Sequence, residues 1–148
     1  MPPQEDRTCL LNNGRLTIKG VDKMEKIKVV MVEPNEEARI VEINSSLKDM
    51  QEAVGGYIET YEPFEEEAVI VCNEEGKING MPMNRVIKDK DGNVRDLICG
   101  PFFICYAPFE SESFLSLSDE MAEKYKEMFK TPEMFVKTEN GLAVIPMA

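Results

Sequence analysis

A run of five apolar residues that stops at a glycine-punctuated polar turn limits what this chain can become. Ala68-Val69-Ile70-Val71-Cys72 passes directly into Asn73-Glu74-Glu75-Gly76-Lys77, and the segment continues through Gly80 to Asn84-Arg85. The run is short for a buried helix and rich in β-branched side chains, so it reads as a strand covered on both faces. Asn73, Glu74, Gly76, Asn79 and Gly80 are turn residues, which cap backbone groups with a side chain or tolerate positive φ. Polar loop chemistry is therefore expected at one end of a central strand.

Composition restricts chemistry more than architecture. A chain of 148 residues has room for one ordinary core, expected here as a leading appendage over residues 1–25 and a single domain over 26–148. The hydrophobic share of 43% and charged share of 30% are ordinary for a folded chain. The 28 acidic residues against 17 basic ones leave a net charge of −11. That balance disfavours direct binding to nucleic acid or an anionic membrane and suits a basic protein partner, although acidity also simply keeps small proteins soluble. There is no histidine, which removes imidazole bases, Ser-His and Cys-His pairs, and histidine metal ligands. Cys9, Cys72, Cys99 and Cys105 form no Cys-x-x-Cys pair, and the last three lie in apolar runs. They read as buried thiols in a reducing compartment, with no metal or cofactor expected. No apolar stretch approaches a membrane span, and Met1 to Asp6 lacks the features of a secretory signal, so a soluble cytoplasmic protein is expected.

Taken in order, residues 1–25 show strand-like alternation only from Leu16 to Lys19, and a chain beginning at Met24 is expected to keep its cooperative melt. Ile27–Glu33 and Ala38–Ile43 flank Pro34-Asn35 as a hairpin. Asn44-Ser45-Ser46 opens a helix from Leu47 to Val54, with Leu47, Met50 and Val54 on one face and Gly55-Gly56 as its stop. Tyr57–Tyr61 is extended, and Glu65-Glu66-Glu67 reads as a solvated loop. Val86–Lys88 and Val94–Leu97 flank a tight reversal at Asp89–Asn93. The Asp89, Asp91, Asn93 alternation imitates a calcium loop but fails as one, because its sixth and twelfth positions hold Val94 and Gly100. Ile98–Tyr106 is a second apolar run, expected beside the central strand, with Gly100-Pro101 as a bulge or edge start. Ser118 caps a helix expected over 119–130, with Met121, Ala122, Tyr125, Met128 and Phe129 as its apolar stripe and Glu120 four residues before Lys124. Glu133–Val136 and Leu142–Ile145 around Asn140-Gly141 suggest an edge strand and a terminal hairpin. The class is α+β, a mostly antiparallel sheet with two main helices at about 47–54 and 119–130, rather than a doubly wound parallel sheet.

Ile27–Glu33, Leu47–Gln51, Val54-Gly55-Gly56-Tyr57-Ile58-Glu59, Asn73-Glu74-Glu75-Gly76-Lys77, Asn84-Arg85, Ile98–Ile104 and Leu117–Tyr125 together resemble the bacterial domain-of-unknown-function family 3846, over about Lys26 to Phe129. Pro101 stands where a small or hydroxyl residue is expected. The resemblance implies an uncharacterised accessory protein of Gram-positive bacteria, phages, plasmids or conjugative elements, and brings no activity with it. Read with the acidity, it points to a non-enzymatic protein-binding or regulatory module, with mimicry of DNA charge as a narrower form. The alternatives are a small-ligand or nucleotide-binding domain, in which Glu59 and Glu74 would serve as acid and base, and a structural or oligomerisation role.

For a ligand or partner surface the candidates are Gly55, Gly56, Tyr57, Glu59, Asn73, Glu74, Gly76, Asn84 and Arg85. They combine a ring face, two amides and a guanidinium at the ends of elements. Asn84 and Arg85 join the others only if Gly80–Met83 folds back along the central strand. The competing expectation is that Asn73 and Asn84 cap turns while Arg85 pairs with Glu59 or Glu74.

Overall fold

Alternation of period two, carried on both sides of the same strand, organises the domain. The computed structural model describes residues 25–147; the Leu16–Lys19 pattern and Cys9 lie outside the described residues. The elements are β1 (Lys26–Val32), β2 (Arg39–Asn44), α1 (Leu47–Val54), β3 (Ile58–Tyr61), β4 (Ala68–Asn73), β5 (Met83–Lys88), β6 (Val94–Cys99), β7 (Phe102–Tyr106), α2 (Asp119–Met128), β8 (Glu133–Thr138) and β9 (Gly141–Pro146). Five strands form an antiparallel sheet in the order β2-β1-β7-β4-β3, while β5–β6 and β8–β9 are separate two-stranded ribbons. The class is the expected α+β.

All of β4 is buried. Ala68, Ile70 and Cys72 join Phe102, Ile104, Leu117, Ala122, Tyr125 and Phe129 on one side of the sheet. Val69 and Val71 join Val29, Phe103, Cys105, Met50 and Val54 on the other. One face is thus covered by α1, and the opposite face by α2 with Ile87 and Ile98 of the β5–β6 ribbon. A strand with both faces covered needs an unbroken apolar run, which is what Ala68–Cys72 supplies.

Local chemistry explains the helix limits. Ser46 Oγ accepts the Asp49 N–H at 3.1 Å, and Gly55, in the left-handed region at φ 80°, donates its N–H to Gln51 O at 2.8 Å. Leu47 is a correction to the expected apolar face, being 56% exposed. Helical side chains lean toward the N-terminus, so that of the first residue projects past the covered sheet. In α2, Ser118 Oγ accepts the Met121 N–H at 3.2 Å, and Ala122, Tyr125 and Phe129 are buried. Met128, one residue and roughly 100° of helical turn from Phe129, is half exposed instead of lying in the stripe. Lys124 bonds Glu66 Oε1 at 3.0 Å rather than Glu120. The triple glutamate is therefore more than a solvated loop: Glu66 also accepts the Tyr125 hydroxyl, and Glu67 accepts the Phe109 N–H at 2.7 Å.

The second apolar run is two strands, not one strand with a bulge. Gly100, at φ 86°, turns the chain out of β6, and Pro101 leads it into β7. β7 is interior, paired with β1 and β4, so Pro101 marks a corner between layers and not a sheet edge. The Asp89–Asn93 alternation is turn chemistry, with Asp89 Oδ1 accepting the N–H groups of Asp91 and Asn93 at 2.9 Å each. Cys72, Cys99 and Cys105 are free and buried. Among the described residues no helix is long and apolar enough to cross a membrane.

Candidate functional site

At the C-terminal end of β4 the backbone must turn without leaving buried polar groups unpaired, and Asn73 solves this. Its Nδ2 donates to Val54 O at 3.1 Å, an otherwise free carbonyl at the end of α1, and its Oδ1 accepts the Glu75 N–H at 2.7 Å. Two glycines make room. A Cβ at Gly56 would lie 2.7 Å from Asn73 Nδ2, and one at Gly76 would lie 2.5 Å from Cys99 O. The turn after β4 is therefore seated directly on the end of β6.

Between that turn, β6 and the edge strand β3 runs a groove of about 290 Å³. Its floor includes Cys72 and Tyr61, and its rim carries Glu59, Glu74, Glu75 and Asp96. Lys77 Nζ pairs with Asp96 Oδ1 at 2.8 Å. Burial raises the Asp96 pKa, but the Lys77 ammonium and the Leu97 N–H, 2.7 Å away, outweigh it and hold the carboxyl below its ordinary range. Lys77 is correspondingly raised, chiefly by its bond to Asp96. Burial, with Glu59 and Asp96 adding to it, pushes the Cys72 thiol up to about 11, and burial raises Cys99 as well.

The outer edge of β3 is a row of backbone groups. Glu74 donates its N–H to Tyr57 O at 2.8 Å, and the register pairs Ile58 with Asn73, Glu59 with Cys72 and Thr60 with Val71. In an antiparallel ladder this makes Glu59 and Tyr61 the residues that exchange bonds with β4, and turns the N–H and C=O of Ile58 and Thr60 outward. Among the described residues, β3 is the last strand of its sheet.

Asn84 and Arg85 lie elsewhere. Gly80–Met83 does not fold back along β4: Met81 donates to Gly76 O at 3.0 Å, Gly100 donates to Pro82 O at 2.7 Å, and β5 pairs with β6. Asn84 is fully buried, its Nδ2 donating to Val32 O at 3.0 Å and Gly100 O at 2.9 Å. Arg85, 1% exposed, bonds neither Glu59 nor Glu74. Its Nε and Nη2 donate to Phe129 O at 3.2 and 2.9 Å, Nη2 also to Glu36 O at 2.6 Å, and Nη1 to Asn84 O and Oδ1 at 3.2 and 2.9 Å. All five guanidinium hydrogens are thereby engaged. Burial lowers the Arg85 pKa, and Glu133 opposes the shift. Arg85 lines a separate hollow of about 210 Å³ with Phe64, Met128 and Glu133.

The structure thus brings together Glu59, Asn73, Glu74 and Gly76, with Gly56 packed behind Asn73. Gly55 lies against Met81, whose Cε would sit 3.3 Å from a Cβ there. Tyr57 projects into solvent at the mouth of the β3–β4 ladder, 71% exposed. Lys77, Asp96 and Cys99 in the groove lining are additions that sequence reasoning missed. The Asp89–Asn93 reversal shows that β6 returns along β5, but nothing local to it states which face of the sheet the ribbon covers. No group of three or more Cys, Asp or Glu among the described residues is placed to hold a metal ion.

A five-stranded antiparallel sheet, with a helix on one face and a helix plus a β-ribbon on the other, defines an α+β domain with an acidic groove at a sheet edge. Its family is shown by a match over residues 27–130 to the family described as Domain of unknown function (DUF3846), to which the chain belongs. The β8–β9 ribbon follows the matched region. Neither a curated protein nor a solved structure matches the chain.

Proposed function

We propose that the protein is a small non-enzymatic binding module, an accessory protein of a bacterium or mobile element that recognises a protein partner in the cytoplasm. The observation that carries this reading is the acidic groove lying beside a sheet edge that no other described strand pairs with, so that side-chain charge and outward-facing backbone groups lie together. The overall charge of −11 favours a basic partner. The groove's thiols suit a binding role better than a chemical one. Cys72, at about 11, is a protonated thiol at neutral pH, whereas a nucleophile requires the thiolate.

The test is capture from a bacterial lysate on immobilised protein, run beside a Glu59→Gln, Glu74→Gln double variant over a salt series. The expected result is a partner held by the natural protein, released as salt rises, and lost from the variant. Identical capture by both proteins would move the function away from the groove. A groove of about 290 Å³ is also just large enough for a small ligand. A saturable thermal shift with a nucleotide or small amine would favour that alternative.

A further inference from the structure

Resting on that reading, we propose that the partner presents a basic segment in extended conformation, and that this segment adds to the edge of β3, unpaired among the described residues, as a further strand. Three independent observations converge on the edge. The first is backbone: Ile58 and Thr60 direct their N–H and C=O groups away from β4, an arrangement that accepts another strand through main-chain bonds. The second is shape. Glu59 and Tyr61 line the groove, so side chains at alternate positions of an added strand would stand on the same face and over its mouth.

The third is charge. From Asp49 to Gly76 the sequence contains nine acidic residues and no Lys or Arg, and this stretch holds the whole of β3 and its flanks. Lys77, the nearest cation of the groove, is already paired with Asp96. A strand carrying Lys or Arg at every second residue would place its cations toward Glu59, Glu74 and Glu75, while its intervening residues faced the α1 side with Ile58. The opposite edge strand, β2, is mixed in charge, and its Arg39 bridges Glu33 at 2.5 Å and Glu36 at 3.4 Å. Acidic side chains also guard exposed edges against self-pairing, and the test separates guarding from recognition.

The probe is a capped lysine-valine heptapeptide of alternating sequence, titrated into isotopically labelled protein. The result expected is saturable binding that weakens with salt, together with slower amide exchange at Ile58 and Thr60. N-methylation of the peptide on the alternate residues whose N–H groups would face β3 keeps its charge and removes its donors, and should weaken binding at least tenfold. Thr60→Pro removes the outward N–H from the protein side, a substitution an edge strand accommodates, and should have the same effect with the β4 pairing intact. If that variant fails to fold, the methylated peptide makes the same measurement. Equal affinity of the methylated and unmethylated peptides, unchanged exchange at Ile58 and Thr60, or no binding of the peptide would overturn strand addition. A lysate partner kept by Thr60→Pro but lost from the glutamine variant would also overturn it while leaving the protein-binding reading in place. A natural protein that captures nothing would overturn that broader reading itself.

Discussion

Arg85 is a buried cation held by carbonyl oxygens instead of a carboxylate. Its position follows from the end of α2, where the last carbonyls have no helical partner and carry the negative end of the helix dipole. Phe129 O takes two of the guanidinium bonds, and Glu36 O and Asn84 close the cage. The fork geometry makes lysine a poor replacement, since one ammonium cannot reach carbonyls on three sides. Arg85→Lys is expected to cost about 3 kcal/mol or more through orphaned carbonyls and a poorly solvated charge, seen as a lower midpoint in urea with an unchanged slope. A variant within about 0.5 kcal/mol of the natural protein would contradict this account. In the sequence, Asn84-Arg85 is simply a polar pair between a glycine turn and an apolar run. That it is interior depends on Val32 and Glu36 of the first hairpin, Gly100 and Phe129 converging from three distant segments, which no local pattern records. Asn73, by contrast, sits beside the residues it serves, and its capping role was legible.

At the scale of elements, hairpins and helix ends were legible because their signals are local: Pro34-Asn35, Ser46, Gly55, Asp89–Asn93 and Ser118 each act within a few residues. Strand order was less so, since β1 and β3 are brought to either side of β7 and β4 by contacts between residues far apart in the chain. Gly100-Pro101 misled for the same reason, because a corner between layers and a bulge within one strand use similar residues. Gly76 tests the join between the β4 turn and β6. Gly76→Ala would press a methyl group onto the Cys99 carbonyl, 2.5 Å away, and backbone cannot yield as a side-chain tip can. The expected cost is about 1–3 kcal/mol, with faster amide exchange in residues 74–78. An unchanged melt would mean that the turn can lift from β6 freely. The β8–β9 ribbon should behave differently, since neither core cluster includes a residue from it. Its Glu133 carboxylate accepts the Val86 N–H at 2.9 Å. Removing residues 133–148 should therefore lower stability by only about 1–2 kcal/mol and preserve one cooperative transition. Loss of that transition would make the ribbon part of the folding unit.

For the whole molecule, the distribution of shifted groups predicts a stability plateau with two shoulders. On the acid side, Glu66 is held low by the Tyr125 hydroxyl and then Lys124, Asp89 by the Asn93 N–H, and Asp119 by Lys28. Each is a depressed carboxyl, so its contribution is present above the ordinary carboxylate range and lost as pH falls through the folded value. On the alkaline side the sign reverses. Burial pushes Cys72 to about 11 and Cys105 to about 12, and burial followed by the bond to Glu66 raises Tyr125. Unfolding frees these groups to ionise, so their contribution is complete below the ordinary thiol and phenol values and declines as pH climbs from about 9 toward the folded values. Between the shoulders no imidazole can titrate, because the chain has no histidine. Melting temperature followed by circular dichroism should accordingly be nearly flat from about pH 5 to 8 and fall on both sides. Tyr125→Phe should reduce the alkaline decline, because it deletes a group whose ionisation drives unfolding there, and should also weaken the acid shoulder by removing the main hydrogen bond that lowers Glu66. A distinct step near pH 6.5, or an acid shoulder unaltered in Tyr125→Phe, would show that charges other than these set the pH response of the fold.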